Sequence, residues 1–292
     1  MSMSGERSAR HTVRVGLIQA RVGEDIQSNL AATERYVGDA ASRGADIVCL
    51  QELFATRYFA QWRRTRYRAL AERIPGRLSR FLSCCARENQ VTLIGGSIYE
   101  RAPGGRSFNT SLVFDPRGRR IAKYRKMHIP DDPAYYERYY FAPGDLGYVQ
   151  VRTGKAVIAP LICYDQWFPE AARVNALGGA EILFYPTAIG WSRELRASEP
   201  NAARRWQQAM RAHASMNGVF AVAVNRVGRE GDLSFWGGSF VADPFGGVVA
   251  RASASRDEVL VADLDLGRVR ESQDGWGFLG NRRPDSYRDL IR

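Results

Sequence analysis

Short apolar strands and amphipathic helices alternate along the first third of the chain. Apolar residues recur every three or four positions after Asp25, which is typical of a helix with one buried face. The predicted elements are, in order, the strand Thr12–Gln19, a helix that Asp25 caps and that ends near Gly44, the strand Ala45–Gln51, a helix from about Gly76 to Asn89, and the strand Val91–Tyr99. This alternation predicts a parallel or mixed sheet covered by helices.

The second half of the chain repeats this order and then becomes rich in strands. The predicted elements are the strand Ala156–Cys163, a helix from Pro169 to Gly178, the strand Glu181–Pro186, the helix Pro200–Asn217, and the strands Val219–Asn225, Trp236–Asp243 and Val259–Asp265. Two such sets predict an α/β fold with two stacked sheets between layers of helices. Because no linker interrupts the pattern, we expect one domain over residues 12–292, preceded by a flexible tail over residues 1–11.

Pro160 is unusual because it lies inside the predicted strand Ala156–Cys163, where a proline removes one hydrogen bond of the ladder. A bulge just before Cys163 would accommodate it, and bulges often occur beside active sites. A position at the edge of the sheet would accommodate it equally well.

The sequence contains no segment suited to crossing a membrane or directing secretion. The longest apolar run, Ala156–Cys163, has eight residues, whereas a membrane-spanning helix needs about 20. The segment Met1–Arg10 is polar and lacks the apolar centre of a secretion signal. We therefore expect a cytoplasmic protein that does not bind a membrane.

The cysteines and histidines do not predict a disulfide scaffold or a metal site. The four cysteines include no C-x-x-C pair, and the three histidines show no metal-ligand spacing. We therefore expect no catalytic metal.

The formal net charge is +11, and only three of the 42 basic residues are lysines. The arginines are dispersed and no nucleic-acid-binding motif is present, so we expect no nucleic-acid partner. The densest stretch, Arg57–Arg73, interleaves arginines with aromatic residues, and we call it the arginine-rich segment. It is typical of a solvated helix face, a lid or a subunit contact, and RNA binding is the alternative.

Two reactive side chains follow predicted strands in separate halves of the chain. Glu52 follows Ala45–Gln51, and Cys163 ends Ala156–Cys163. Sites in open α/β sheets form at the carboxyl ends of strands. A thiol needs a base or a cation to act as a nucleophile. Glu52 could take the proton of Cys163, and Lys126 could stabilise the thiolate and then an oxyanion.

Each of these residues also has a structural interpretation. A buried cysteine is usually a small core residue, and a lone glutamate is often a salt-bridged carboxylate. Lys126 is a better signal because lysine is rare in this chain. His128 is a second candidate base for Cys163, whereas His213 shares a helix face with Trp206 and is interpreted as a core residue. The residues alone leave both interpretations open.

Several long segments closely resemble the nitrilase, or carbon–nitrogen hydrolase, superfamily. The resemblance spans about residues 12–287 and is closest to the branch that hydrolyses N-carbamoylputrescine. The segments that carry it are QELF (51–54), KYRKMHIPDDPAYYERYYFAPGD (123–145), LICYDQWFPEAARVNALGGAEILFYPTAIGW (161–191), NRVGREGDLSFWGGSFVADPFG (225–246) and FLGNRRPDSY (278–287).

The resemblance implies a four-layer αββα fold and a Glu–Lys–Cys triad. Glu52 would be the general base, Cys163 the nucleophile, and Lys126 a cation that holds the oxyanion together with the backbone N–H of Tyr164. Glu137 would orient Lys126 and contact the substrate amide. The resemblance also implies a thioester intermediate, no cofactor, a small-molecule carbamoyl or amide substrate, and a homo-oligomer built from dimers.

One loop departs from the family pattern and bears on the substrate. In many carbamoylputrescine enzymes this loop reads Ser-Glu-Pro and carries an acidic residue that holds the distal amine, whereas this chain reads Trp191-Ser-Arg-Glu194. A cationic tail requires a carboxylate and a carboxylate tail an arginine, and this sequence offers both. The candidate substrate-binding residues are Trp191, Glu194, Asp131 and Asp132. We expect N-carbamoylputrescine as the substrate, with an N-carbamoyl amino acid or an ω-amide as the alternative.

Overall fold

The structure, a computed structural model, describes residues 11–291. Except for His11, the predicted flexible tail therefore lies outside the described residues. Within the described part, no helix is long and apolar enough to cross a membrane.

The predicted strands and helices occur in the predicted order, together with shorter strands and two helices that were not predicted. The strands are β1 (Thr12–Gln19), β2 (Ile47–Cys49), β3 (Thr92–Ile94), β4 (Ile98–Arg101), β5 (Ser107–Phe114), β6 (Arg120–Arg125), β7 (Asp131–Asp132), β8 (Tyr135–Tyr136), β9 (Val151–Arg152), β10 (Val157–Pro160), β11 (Ile182–Pro186), β12 (Gly190–Trp191), β13 (Phe220–Val224), β14 (Val227–Glu230), β15 (Leu233–Trp236), β16 (Phe240–Ala242), β17 (Val248–Arg251) and β18 (Glu258–Asp265). The helices are α1 (Ile26–Ser42), α2 (Arg77–Glu88), α3 (Pro169–Leu177), α4 (Arg193–Ser198), α5 (Ala202–Asn217) and α6 (Gly267–Trp276).

The first large sheet is mixed, with the strand order β18-β1-β2-β3-β5-β4 and with β6 beside β5. The strands β1, β2 and β3 are parallel because helical crossovers connect them. Asp25 caps α1 as predicted, since its carboxylate accepts the backbone N–H groups of Gln27 and Ser28. Apolar side chains of α1 and α2, such as Val37 and Leu82, pack against the outer face of this sheet.

The second large sheet has the order β17-β16-β13-β11-β10-β9. Its central strands β10, β11 and β13 are parallel, and α3 and α5 cover its outer face through residues such as Ala172 and Met210. The inner faces of the two sheets share one apolar cluster, in which Leu17 of the first sheet lies with Phe184 and Val222 of the second. These layers confirm the predicted αββα arrangement.

Glycines divide two of the predicted strands. The predicted strand Val91–Tyr99 is interrupted between β3 and β4 by Gly96, whose φ of +55° belongs to the left-handed region. A Cβ at Gly96 would lie 2.0 Å from the carbonyl oxygen of Gln51, so only glycine fits there. The predicted strand Trp236–Asp243 is divided between β15 and β16 by Gly237 and Gly238, which also have positive φ.

The predicted strand Ala156–Cys163 is shorter than expected, because β10 ends at Pro160. Pro160 pairs in register with Phe184, without a bulge. Leu161 directs its N–H to β11, so the nitrogen of Pro160 points to the other side, where β9 pairs only with Val157 and Ile158. Pro160 therefore occupies a position without a strand partner on that side. The pairing of β10 with β11 has no bulge, and β9 rather than β10 is the edge strand, so Pro160 is accommodated by a local gap beside β9.

Candidate active site

The buried ammonium of Lys126 joins two carboxylates that come from distant parts of the chain. Lys126 directly follows β6, and its Nζ donates to Oε1 of Glu52 at 2.8 Å and to Oε2 of Glu137 at 2.7 Å. All three side chains are completely buried. Burial alone would lower the pKa of Lys126, but the carboxylates of Glu137 and Glu52 raise it above its ordinary value. Lys126 therefore remains a cation.

Glu52 has one oxygen with two donors and one oxygen with none. Its Oε1 accepts hydrogen bonds from Lys126 and from Nδ2 of Asn109, each at 2.8 Å. Its Oε2 is buried and has no hydrogen-bond partner among residues 11–291. An unpartnered buried oxygen is costly in a purely structural carboxylate. At this position, Oε2 is the atom of Glu52 that can accept a proton.

Cys163 occupies a strained position at the start of a short 3₁₀ turn, Cys163–Trp167. Its φ of +40° lies in the left-handed region, which costs a non-glycine residue about 1–2 kcal/mol. Strain of this kind is typical of functional sites, where the surrounding structure holds it in place. Both Cys163 and Glu52 lie three residues beyond the end of a parallel strand, whereas the sequence pattern predicted Cys163 within its strand and Glu52 directly after its own.

Asp165 ties the Cys163 turn to the segment that follows Lys126. Its Oδ2 accepts the backbone N–H of Ile162 at 2.9 Å, within the turn. Its Oδ1 accepts the backbone N–H of His128 at 3.0 Å and contacts Nδ1 of the same residue at 2.8 Å. These bonds fix the Cys163 turn relative to Lys126.

His128 is therefore not a partner of Cys163. In addition to its bonds with Asp165, its ring stacks on Phe168 with ring centres 3.7 Å apart. No hydrogen bond joins His128 to Cys163 among the described residues, so the structure does not pair His128 with the thiol as the alternative base required. His213 is buried in the core as predicted, and its Nε2 contacts the carbonyl oxygen of Gln166 at 2.8 Å.

The resting form of Cys163 is a neutral thiol. Burial raises the pKa of the Cys163 thiol well above its ordinary value, and the negative charge of Glu52 raises it further. The ammonium of Lys126 and the backbone N–H of Ala188 oppose this shift without cancelling it. Attack on a carbonyl therefore requires a base that removes the thiol proton.

Glu137 is supported by a tyrosine that the sequence pattern did not indicate. Burial raises the pKa of Glu137 to about 7, although the ammonium of Lys126 opposes the shift. The hydroxyl of Tyr58 donates to Oε1 of Glu137 at 2.7 Å, and Tyr58 is completely buried. Tyr58 and Asn109 are therefore two site residues that sequence reasoning missed. Neither carries a local signal, because each reaches the site through long-range packing.

Cys163 lines a cavity of about 570 Å³ that carries excess negative charge. Its lining includes Tyr164, the predicted oxyanion donor, and Asp132 and Glu194, two of the four predicted substrate-binding residues. The cavity also contains Glu199, which forms an ion pair with Arg205 at 2.7 Å. By contrast, Asp132 and Glu194 form no ion pair with any described residue. Two unpaired carboxylates in one cavity favour a cationic ligand.

The other two predicted substrate-binding residues lie outside the cavity lining. Asp131 forms an ion pair with Arg63 at 3.2 Å. Trp191 packs against Trp236 with ring centres 4.8 Å apart. The structure therefore brings neither Asp131 nor Trp191 to the cavity that contains Cys163.

The arginine-rich segment forms two 3₁₀ turns, Phe59–Gln61 and Thr65–Leu70, so the predicted regular helix is wrong. Four of its arginines lie over tyrosine or tryptophan rings at 4.4–5.1 Å from the ring centres. Residues 57–73 are all described, and none of them lines the Cys163 cavity, so this conformation does not act as a lid.

The sequence predicts no catalytic metal. In the part of the chain that the structure describes, no group of three or more His, Cys, Asp or Glu side chains is placed to hold a metal ion.

Comparison with known proteins gives consistent matches over nearly the whole chain. Residues 14–274 match the Carbon-nitrogen hydrolase family. The chain is 40% identical to the N-carbamoylputrescine amidase of Arabidopsis thaliana, over 97% of this chain and 96% of that protein. It is 35% identical to the citrullinase of Francisella tularensis subsp. tularensis, over 96% and 98%. A crystal structure of a carbon–nitrogen hydrolase from Helicobacter pylori G27 superposes with a TM-score of 0.92 at 37% identity, covering 97% of this chain and 99% of that one.

Proposed function

Because the chain belongs to the carbon–nitrogen hydrolase family of the nitrilase superfamily and is a hydrolase acting on C–N bonds, we propose that it is a thiol amidohydrolase for N-carbamoylputrescine. In this proposal Cys163 is the nucleophile, Glu52 the general base and Lys126 the cation that holds the oxyanion. One observation carries it. The thiol of Cys163, whose pKa is raised by burial and by the charge of Glu52, shares a cavity with two unpaired carboxylates, and Glu52 has an unpartnered buried oxygen.

The first half-reaction forms a covalent intermediate. Oε2 of Glu52 takes the thiol proton, and the sulfur attacks the ureido carbonyl carbon. The ammonium of Lys126 and the backbone N–H of Tyr164 stabilise the oxyanion. The proton on Glu52 passes to the departing nitrogen, the C–N bond breaks, and ammonia leaves a carbamoyl thioester on Cys163.

The second half-reaction returns the free thiol. Glu52 takes a proton from a water, which attacks the thioester carbonyl, and the C–S bond breaks as the sulfur regains a proton. The released carbamic acid loses carbon dioxide. The overall reaction converts one N-carbamoylputrescine and one water into putrescine, carbon dioxide and ammonia.

The charges of the cavity support an amine-tailed substrate. The primary amine of N-carbamoylputrescine is a cation at neutral pH, and Asp132 and Glu194 offer it carboxylates that no arginine or lysine occupies. The one arginine of the lining, Arg205, is already paired with Glu199. The relatives at 39–40% identity that are N-carbamoylputrescine amidases support the same assignment.

The alternative substrate is an N-carbamoyl amino acid or an ω-amide, hydrolysed by the same three residues. The similarity to a citrullinase supports this alternative, and Arg205 would have to exchange Glu199 for a substrate carboxylate.

Ammonia release from purified protein separates the two. We expect turnover of N-carbamoylputrescine and little or none of N-carbamoyl-β-alanine or a simple ω-amide. Cys163→Ala provides the blank, and Glu52→Gln tests the base. Ammonia release that survives either substitution would refute the mechanism, whereas a preference for a carboxylate-tailed compound would keep the mechanism and replace the substrate.

A further inference from the structure

Arg226 is a completely buried residue that contacts the backbone of the turn carrying Glu52. It follows β13 in the second sheet, whereas Glu52 follows β2 in the first. Its Nη2 donates to the carbonyl oxygen of Glu52 at 2.6 Å and to that of Leu53 at 3.0 Å. One guanidinium therefore spans the two sheets and ends at the main chain of the proposed base.

The turn that Arg226 contacts adopts a conformation that needs support. Leu53 has a φ of +48°, in the left-handed region that favours glycine. Its N–H is accepted by the hydroxyl of Ser97 at 3.0 Å, and its carbonyl oxygen accepts from Arg226 and from the N–H of Thr56. Strained backbone persists only where its surroundings hold it. Arg226 supplies two of the hydrogen bonds that do so.

Glu230 holds the guanidinium in this position. Oε1 of Glu230 lies 2.7 Å from Nη1 of Arg226, and both side chains are buried. Oε2 of Glu230 accepts the backbone N–H of Tyr58 at 2.6 Å. Because Tyr58 also supports Glu137, the ion pair is continuous with the carboxylates around Lys126.

The neighbouring residue, Asn225, contacts the loop beside the thiol. Its side chain accepts the N–H of Ile189 at 3.0 Å and donates to the carbonyl oxygen of Ile189 at 3.0 Å. Ile189 follows Ala188, whose backbone N–H is hydrogen-bonded to Cys163. Two consecutive residues thus hold the turn of the base and the loop beside the nucleophile.

We propose that Arg226 is a positioning residue for hydrolysis: by binding the carbonyl oxygens of Glu52 and Leu53, it sets Oε2 of Glu52 at the distance from Cys163 that proton transfer requires. The proposal rests on the proposed role of Glu52 as the base. Arg226 does not line the cavity, so it acts on the rate of the chemical step and not on substrate binding. A displacement of about 1 Å in a catalytic group lowers the rate roughly 100-fold.

The test uses the double variant Arg226→Met/Glu230→Gln. It removes the guanidinium together with the charge that would otherwise remain buried and unpaired. The amide oxygen of the introduced glutamine can still accept the N–H of Tyr58. Glu230→Gln alone is the matched control, because it keeps Arg226 and its two bonds to carbonyl oxygens.

The readouts are kcat and KM on the best substrate of the wild-type protein, and the Kd of that substrate in a Cys163→Ala background. We expect the double variant to lose about 100-fold in kcat, as a displaced base would, with KM and Kd within about threefold of the wild type. Glu230→Gln should lose clearly less kcat than the double variant, because the amide oxygen of the glutamine can still accept from Nη1 and leaves Nη2 on the two carbonyl oxygens. Arg226→Lys should recover part of the loss, since an ammonium can still donate to a carbonyl oxygen.

Three results would overturn the proposal. They are a double variant with wild-type kcat, a Glu230→Gln control that loses as much kcat as the double variant, and a loss that appears in Kd. If circular dichroism shows that the double variant is unfolded, Arg226→Lys decides alone: a lower kcat at unchanged KM supports the proposal, and wild-type kcat refutes it. Failure of the proposed function is seen separately, as ammonia release that persists in Glu52→Gln.

Discussion

Replacing Lys126 with methionine should destabilise the fold, and by an amount that depends on pH. Methionine is also long and unbranched but carries no charge. The variant therefore leaves Glu52 and Glu137 buried without the cation that now lies 2.8 and 2.7 Å from their oxygens. Removing one partner of a buried ion pair typically costs about 3–5 kcal/mol.

The cost of protonating a buried carboxylate leads to a similar loss of stability. A buried carboxylate without a counter-ion can bind a proton, and the ordinary pKa of a glutamate is 4.5. A pH of about 7.5 lies about three units above this pKa. Protonating one such carboxylate there costs about 1.4 kcal/mol per unit, or about 4 kcal/mol in total. A raised pKa in the folded state means that stability is lost as pH rises. The loss of unfolding free energy in Lys126→Met should therefore shrink by about 1.4 kcal/mol for each pH unit below about pH 7.5.

Urea unfolding at about pH 5.5, 6.5 and 7.5 measures this deficit. Lys123→Met is the matched control, since Lys123 lies on β6, which Lys126 directly follows, and pairs with Glu100 but is 24% exposed. Arg125 also pairs with Glu100, at 2.6 Å, so the control should lose about 1 kcal/mol or less at every pH. A deficit for Lys126→Met that is independent of pH, or no larger than that of Lys123→Met, would refute the idea that Glu52 and Glu137 are sealed from water.

The value of kcat/KM should rise with pH through about pH 7, because Glu137, whose pKa is raised by burial, then loses its proton and binds the ammonium of Lys126 more strongly. A kcat/KM that is constant between about pH 6 and 8 would contradict this. Tyr58→Phe removes a donor that lowers the pKa of Glu137, so the midpoint of that profile should move about one unit higher. An unmoved midpoint would assign the profile to another group. Asp132→Asn combined with Glu194→Gln should raise KM for N-carbamoylputrescine about tenfold and leave KM for an uncharged ω-amide unchanged. An equal rise for both compounds would mean that the two carboxylates shape the cavity without binding an amine.

The apolar pattern predicted α1, α2, α3 and α5 closely because each of them buries a single face, whereas α6 and the short helix α4, which buries no residue, were not predicted. Helix α2 begins after Gly76 and ends before Asn89, as the spacing of its apolar residues indicated. Strands were predicted less accurately. The residues around Gly96 and Gly237 are as apolar as their neighbours, and only the left-handed backbone at these glycines, set by contacts with distant segments, ends the strands there.

The site was predictable where a side chain follows a strand, and not where it depends on long-range packing. Glu52 and Cys163 could be indicated from the strand ends alone. Asp131 and Asp132 are chemically identical neighbours in β7, and successive side chains of a strand point to opposite sides. One of them therefore pairs with Arg63 and the other lines the cavity. Which one does which depends on the position of Arg63, a partner 68 residues away.

The neutral resting state of Cys163 has a consequence for the survival of the protein under oxidative conditions. Peroxides and alkylating agents react with a thiolate far more readily than with a thiol. Because Cys163 is buried and its raised pKa keeps the thiol protonated, the proposed nucleophile is a poor target for such agents between turnovers. The burial that raises the pKa of Cys163 thus also lowers its reactivity toward oxidants when no substrate is bound.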